Sequence, residues 1–215
     1  LIEVLANAGI ERIYGITGDS LNSVNDSLRR NGKISFEHVR HEETAAFAAG
    51  AEASLTGKLT VCAGSSGPGN LHLINGLFDC HRNRVPVLAI ASHIPQSEVG
   101  LNYFQETHPE NLFKECSCFC ELVSNPKQMP EILFRAMNAA VGNQDVAVIV
   151  LPGDVAVMEM EIDELPVWHH PRLPHIIPQR EDIEEMVAHL EKGERITLFC
   201  GAGCEGAHDE VVELA

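Results

Sequence analysis

Basic residues are scarce in this 215-residue chain: 15 Lys and Arg stand against 31 Asp and Glu, a formal net charge of −16 at pH 7. Such a surface repels phosphate backbones and anionic headgroups, so neither nucleic acid nor an anionic membrane is expected as the partner of this segment. Apolar runs approaching the roughly 18 residues of a membrane-crossing helix are missing, and no signal-peptide pattern opens the chain. The segment is therefore expected to be soluble and cytoplasmic. Its seven cysteines are odd in number and lack the spacing of a disulfide framework, which points to reduced thiols. Internal repeats and low-complexity tracts are also absent. What is present is ordinary globular composition, 45% hydrophobic, enough for one complete domain and part of another.

Short β-branched runs alternate with helical stretches. Strands are predicted near Arg12 to Ile16, Ser35 to Val39, Leu59 to Ala63, Val85 to Ser92, Cys118 to Val123 and Val146 to Leu151, with helices at Leu21 to Asn31, Glu43 to Leu55, Asn70 to Asn83 and Met129 to Val141. Most of the strands are continuously apolar, as in a parallel sheet covered on both faces. The predicted fold is thus a three-layer α/β/α domain with a six-stranded, mostly parallel sheet, over residues 1–157. A proline-rich stretch of low periodicity, 158–179, reads as an interdomain linker, and its His169, His170 and His175 as solvated residues rather than metal ligands. Residues 180–215 read as helix, strand (Arg195 to Cys200), glycine loop and helix, the opening of a second α/β domain. Because both ends fall inside apparent helices, the chain is expected to be a fragment of a longer protein.

Four polar or glycine-rich segments directly follow predicted strands: Thr17-Gly18-Asp19-Ser20, His41-Glu42-Glu43, Gly64-Ser65-Ser66-Gly67-Pro68-Gly69-Asn70 and His93-Ile94-Pro95-Gln96. In a parallel sheet all four share the carboxyl rim, where open α/β sheets bind ligands. Glu42 is either a helix-dipole partner or a preorganised acid facing such a ligand. Gly67-Pro68-Gly69 is either a tight turn or a place where backbone can approach a flat ligand while Pro68 starts a helix; with no Lys following, it is no P-loop. Cys116, Cys118 and Cys120 have strand periodicity and read as small buried hydrophobes. Gly201-Ala202-Gly203-Cys204-Glu205-Gly206 matches a dinucleotide fingerprint in letter, weak evidence by itself.

The run from Arg40-His41-Glu42-Glu43 through Gly64 to Leu77 and on to Val85-Pro86-Val87-Leu88 resembles the pyrimidine-binding domain of thiamine diphosphate enzymes of the pyruvate oxidase and acetohydroxyacid synthase group. Tyr103 to Pro109, Leu112 to Ser117 and Val150 to Val155 most resemble its quinone-dependent pyruvate oxidase branch. That resemblance implies that Glu42 is the catalytic glutamate, bonding the ring nitrogen N1′ of the cofactor's aminopyrimidine and favouring its imino tautomer. It implies that Thr17, Gly18, Gly67, Pro68, Gly69 and Asn70 contact the pyrimidine, that Phe104 and Gln105 lie near substrate, and that Gly201 and Gly203 begin an FAD-binding domain. His93 is weighed as a substrate-orienting residue or a structural histidine, and Phe104 as core. The implied reaction decarboxylates pyruvate and passes two electrons through FAD to a quinone, giving acetate. Mg²⁺ and the diphosphate would be held by a separate domain of a neighbouring subunit in a homotetramer, so no residue here is expected to ligate metal. Peripheral contact with the inner face of the cell membrane would lie outside this segment. Acetohydroxyacid synthase, an acetyl-phosphate-forming oxidase and a non-catalytic α/β binding domain are the rival readings.

Overall fold

A computed structural model describes residues 1–160, 164–174 and 176–215; His175 and part of the predicted linker lie outside the described residues. The chain divides into two units, Leu1–Leu173 and Pro174–Ala215.

Among its described residues, unit one holds six strands: β1 (Arg12–Gly15), β2 (Ser35–His38), β3 (Thr60–Gly64), β4 (Val87–His93), β5 (Phe119–Leu122) and β6 (Val146–Pro152). Its helices are α1 (Ile2–Asn7), α2 (Asn22–Asn31), α3 (Glu42–Thr56), α4 (Pro68–Arg82), α5 (Pro109–Leu112), α6 (Met129–Asn143) and α7 (Gly153–Ala156). Every pairing in the sheet is parallel, in the order β2-β1-β3-β4-β6-β5. The central strands β3, β4 and β6 are buried at every position, which is why their sequences are continuously apolar rather than alternating.

Alternate strand residues point into two cores. Ile13, Val61, Leu88, Ile90 and Ile149 pack with α1, α2 and α6 on one face. Cys62, Val87, Ala89, Val146 and Val148 pack with α3 and α4 on the other. The result is the α/β/α sandwich expected from the sequence. On the first face, Trp168 is buried, and its indole N–H donates to Asn138 Oδ1 on α6 at 2.9 Å.

Strand β1 has β2 on one side and β3 on the other, and the chain leaves β1 toward β2 but β3 toward β4. Successive crossovers therefore diverge between β1 and β3. This is the topological switch point, where a crevice opens beyond the carboxyl ends of the strands.

Unit two contains α8 (Arg180–Leu190), α9 (His208–Leu214) and a 3₁₀ turn at Ala202–Cys204. The strand predicted at Arg195 to Cys200 is not formed. Ile196 is half exposed and Phe199 fully so; an isolated strand has no partner for its backbone N–H and C=O groups.

Contrary to expectation, Cys116, Cys118 and Cys120 do not share one buried strand face. Only Cys120 lies in β5; Cys116 is buried in the turn before it, and Cys118 is exposed. Burial pushes the thiols of Cys80 and Cys120 up to about 12 and that of Cys116 up to about 11.

Candidate active site

The rim residues are joined by a chain of hydrogen bonds across three strand ends. Asn70 Nδ2 donates to the Ser92 carbonyl at 2.7 Å, Ser92 Oγ to the Ser20 carbonyl at 2.6 Å, and the Ser66 N–H to Ser20 Oγ at 2.9 Å. Loops after β1, β3 and β4 are thereby fixed to one another. Ser66 Oγ adds a bond to Gln105 Oε1 at 3.3 Å, extending the network to the segment 99–108.

Glycines make this closeness possible. A Cβ on Gly18 would lie 2.6 Å from Ser65 Cβ, and one on Gly69 would lie 2.7 Å from Ser65 Oγ and 3.1 Å from Glu42 Oε1. Gly67 has φ +67° and a Cβ there would meet Gln105 backbone at 3.0 Å, so two independent constraints require glycine. Pro68 is the first residue of α4, where its missing N–H costs nothing.

Glu42 is the first residue of α3, 7% exposed. His41 caps the helix, its Nδ1 accepting from the Glu43 N–H at 3.3 Å. Glu42 Oε2 is 3.0 Å from His72 Nδ1 on α4, whereas Oε1 faces Gly69 and has no hydrogen-bond partner among the described residues. Glu43 turns away to Asn75. One carboxylate oxygen is thus anchored and the other is presented, beside bare backbone, at the amino ends of two helices. The chemistry of this arrangement suits a ring with a protonatable nitrogen: the presented oxygen supplies the acceptor, and the glycines bring backbone close beside it.

The remaining expected residues lie as follows. Thr17 is exposed at the rim. Phe104 is 78% exposed and not core, together with Leu101 and Tyr103 on the same segment. Glu106 accepts from the N–H groups of Gly100 and Tyr103 and so holds that segment's turn; these bonds lower its pKa. His93 ends β4, buried, with Nδ1 unpartnered. Gly201 and Gly203 belong to unit two, where no strand precedes them among the described residues and an added Cβ would meet nothing within 4 Å. Gly201 precedes the 3₁₀ turn Ala202–Cys204 and Gly203 lies within it.

Burial lowers the His93 pKa, Glu110 and Glu106 counter it in part, and His108 adds to the lowering. Above the ordinary histidine value of about 6.5, both folded and unfolded His93 are neutral and contribute nothing. As pH falls through that value the unfolded chain binds a proton that folded His93 refuses, so stability drops until the lower folded pKa is reached. The thermal midpoint should consequently fall more steeply as pH drops below about 6.5 in the wild type than in His93→Gln. Parallel profiles would contradict this.

Sequence reasoning gave no role to His72, Ser20 or Ser92. The one signal His72 carries is its spacing, four residues before Gly76 on one helix face. His41, Glu42 and His72 also place one ligand atom each within 4.8 Å of one another, a spacing compatible with a metal ion.

Residues 1–112, just over half of the chain, match the family model of the thiamine pyrophosphate enzyme N-terminal TPP-binding domain. The chain belongs to this family. An uncharacterized 42.6 kDa protein in the isoamylase 3′ region of Pseudomonas amyloderamosa is 59% identical over 99% of this chain and 54% of its own length. Pyruvate oxidase of Lactiplantibacillus plantarum is 32% identical over 100% of this chain and 36% of its own. Acetolactate synthase of Arthrospira platensis is 32% identical over 100% of this chain and 39% of its own. The chain thus spans about half, or less, of the length of these relatives. The two enzymes stand at the same identity, so overall similarity does not choose between their reactions. Among the described residues no helix is long and apolar enough to cross a membrane.

Proposed function

We propose that this chain is the amino-terminal, pyrimidine-binding part of a longer thiamine diphosphate enzyme that decarboxylates pyruvate, in the oxidase branch of the family. The observation that carries the proposal is Glu42: a carboxylate with Oε2 tied to His72 and Oε1 presented toward the bare Gly67–Gly69 backbone. Thiamine diphosphate, when bound, supplies a thiazolium carbon acid that becomes the nucleophile and a ring that accepts the electrons of decarboxylation. Glu42 Oε1 would hold and return the proton at N1′ of the pyrimidine. Gly18, Gly67 and Gly69 let backbone approach the ring, Asn70 fixes the turn through Ser92, and Thr17 and Pro68 line its edges. Gln105, packed on Gly67, and the exposed Phe104 would cover the reacting end and reduce its contact with water.

The oxidase branch is favoured by the run Tyr103-Phe104-Gln105-Glu106-Thr107-His108-Pro109 and by Leu151-Pro152-Gly153-Asp154, which resemble that branch. By that resemblance the FAD-binding domain begins in residues 180–215, with Gly201 and Gly203, and continues beyond them, while Mg²⁺, the diphosphate site, the quinone path and any contact with a membrane surface belong to the rest of the protein, which assembles as a homo-oligomer. Product analysis tests the reading. The longer protein, given pyruvate, thiamine diphosphate, Mg²⁺ and a quinone analogue, should release acetate and CO₂ with stoichiometric acceptor reduction. Acetolactate without acceptor reduction would move the protein to the synthase branch, and acetyl phosphate to the phosphate-dependent oxidases. No consumption of pyruvate would overturn the proposal.

A further inference from the structure

The geometry points to His72 as a positioning residue that holds one oxygen of Glu42 so that the other alone is offered to the cofactor ring; this rests on the function proposed above. Helices α3 and α4 run side by side in the same direction with a constant offset of 30 residues. Glu42 meets His72, Ala46 meets Gly76, and Gly50 meets Cys80. Each row advances by four residues, the spacing that keeps side chains on one helix face.

The lower rungs set how close the upper one can be. A Cβ on Gly76 would lie 2.6 Å from Ala46 Cβ and 2.8 Å from the Glu43 carbonyl oxygen, and one on Gly50 would lie 2.6 Å from Cys80 Sγ. Cys80 Sγ also donates to the Ala46 carbonyl at 3.4 Å. With the backbones held this near, His72 reaches Oε2 of Glu42 at 3.0 Å from one turn nearer the amino end.

His41 fixes the ring itself. Its imidazole stacks on that of His72 with centroids 4.2 Å apart and planes 27° apart, which sets the ring plane and turns Nδ1 toward the carboxylate. With Glu42 ionised, both its oxygens are acceptors only, so His72 Nδ1 carries the hydrogen. The bond occupies Oε2 and removes the freedom of the carboxylate to rotate its two oxygens into the same place. A preorganised acceptor loses less on meeting the ring nitrogen than a mobile one. Asparagine can replace this donor, because its Nδ2 is attached at the same branch of the side chain as histidine Nδ1; leucine cannot.

The test measures exchange of the thiazolium C2 hydrogen of bound thiamine diphosphate in the longer protein, alongside pyruvate turnover and thermal midpoint. His72→Leu should slow exchange about ten- to hundredfold, by analogy with the residues that orient metal ligands, and lower kcat with little change in the KM for pyruvate. His72→Asn should restore most of the rate. The partly exposed His72 side chain makes both variants compatible with folding. If His72→Leu exchanges at the wild-type rate while Glu42→Gln does not, the inference about His72 is overturned and the proposed function stands. If Glu42→Gln also exchanges normally, the proposed function fails with it. Equal slowing by Leu and Asn at an unchanged thermal midpoint would overturn the hydrogen bond as the cause.

Discussion

Replacing Glu42 with glutamine should reduce C2 exchange and pyruvate turnover by about three orders of magnitude, within the range for loss of one acid-base group. The substitution is informative because it changes so little else. The amide oxygen can still accept from His72 Nδ1, and side-chain volume and burial at the start of α3 are preserved. What it removes is an oxygen that can take up and release a proton at the position facing Gly69. The thermal midpoint should shift only modestly, since a helix-dipole contribution reaches at most about 2 kcal/mol even at a buried position such as this. Unchanged turnover would favour the rival reading, an α/β binding domain that keeps the fold without the chemistry.

Gly76→Leu should be the most damaging single change to the fold among the site's supports. Its first added atom would sit 2.6 Å from Ala46 Cβ, 2.8 Å from the Glu43 oxygen and 3.0 Å from the Phe47 nitrogen. Two of these are backbone atoms, so the clash cannot be relieved by a rotamer change and α3 must move from α4. Overpacking of this kind costs about 3 kcal/mol or more. For a unit of this size that is a drop of about 6–12 °C in thermal midpoint, and activity should fall further because the rung above carries Glu42 and His72. Gly142→Ala on α6 is the matched control, with nothing within 4 Å of the new Cβ. It should be neutral or stabilising by up to about 1 kcal/mol. Scanning calorimetry of the pair checks both signs, and a Gly76→Leu protein as stable as the control would refute the close helix contact.

Much of the sheet was legible because burial writes itself into the chain. Strands β3, β4 and β6 are covered on both faces, and continuous apolar runs are the direct sequence record of that burial. The edge strands carried weaker signals: β2 is largely exposed, and the alternating cysteines before β5 suggested a longer strand than Phe119–Leu122. Apolar letters at 195–200 suggested a strand as well, yet pairing is a property of neighbours and none is present in that unit among the described residues. In a parallel sheet all strands end on one rim, so the grouping of Gly18, Glu42 and Gly67 followed from the expected parallel pairing. His72 did not follow. Its contact spans 30 residues and depends on two helices meeting in register, which Gly50 and Gly76 permit but no local pattern announces. The Asn70, Ser92, Ser20 and Ser66 chain was hidden for a related reason: two of its three bonds end on backbone carbonyls, which residue type does not reveal.

The most direct measurement of the central claim is a crystal structure of the longer protein with thiamine diphosphate and Mg²⁺ bound. The aminopyrimidine should lie against the Gly67–Gly69 backbone, with N1′ within hydrogen-bond distance of Glu42 Oε1 and His72 Nδ1 retained on Oε2. A pyrimidine seated away from α3, or a Glu42 carboxylate turned from the ring, would contradict it.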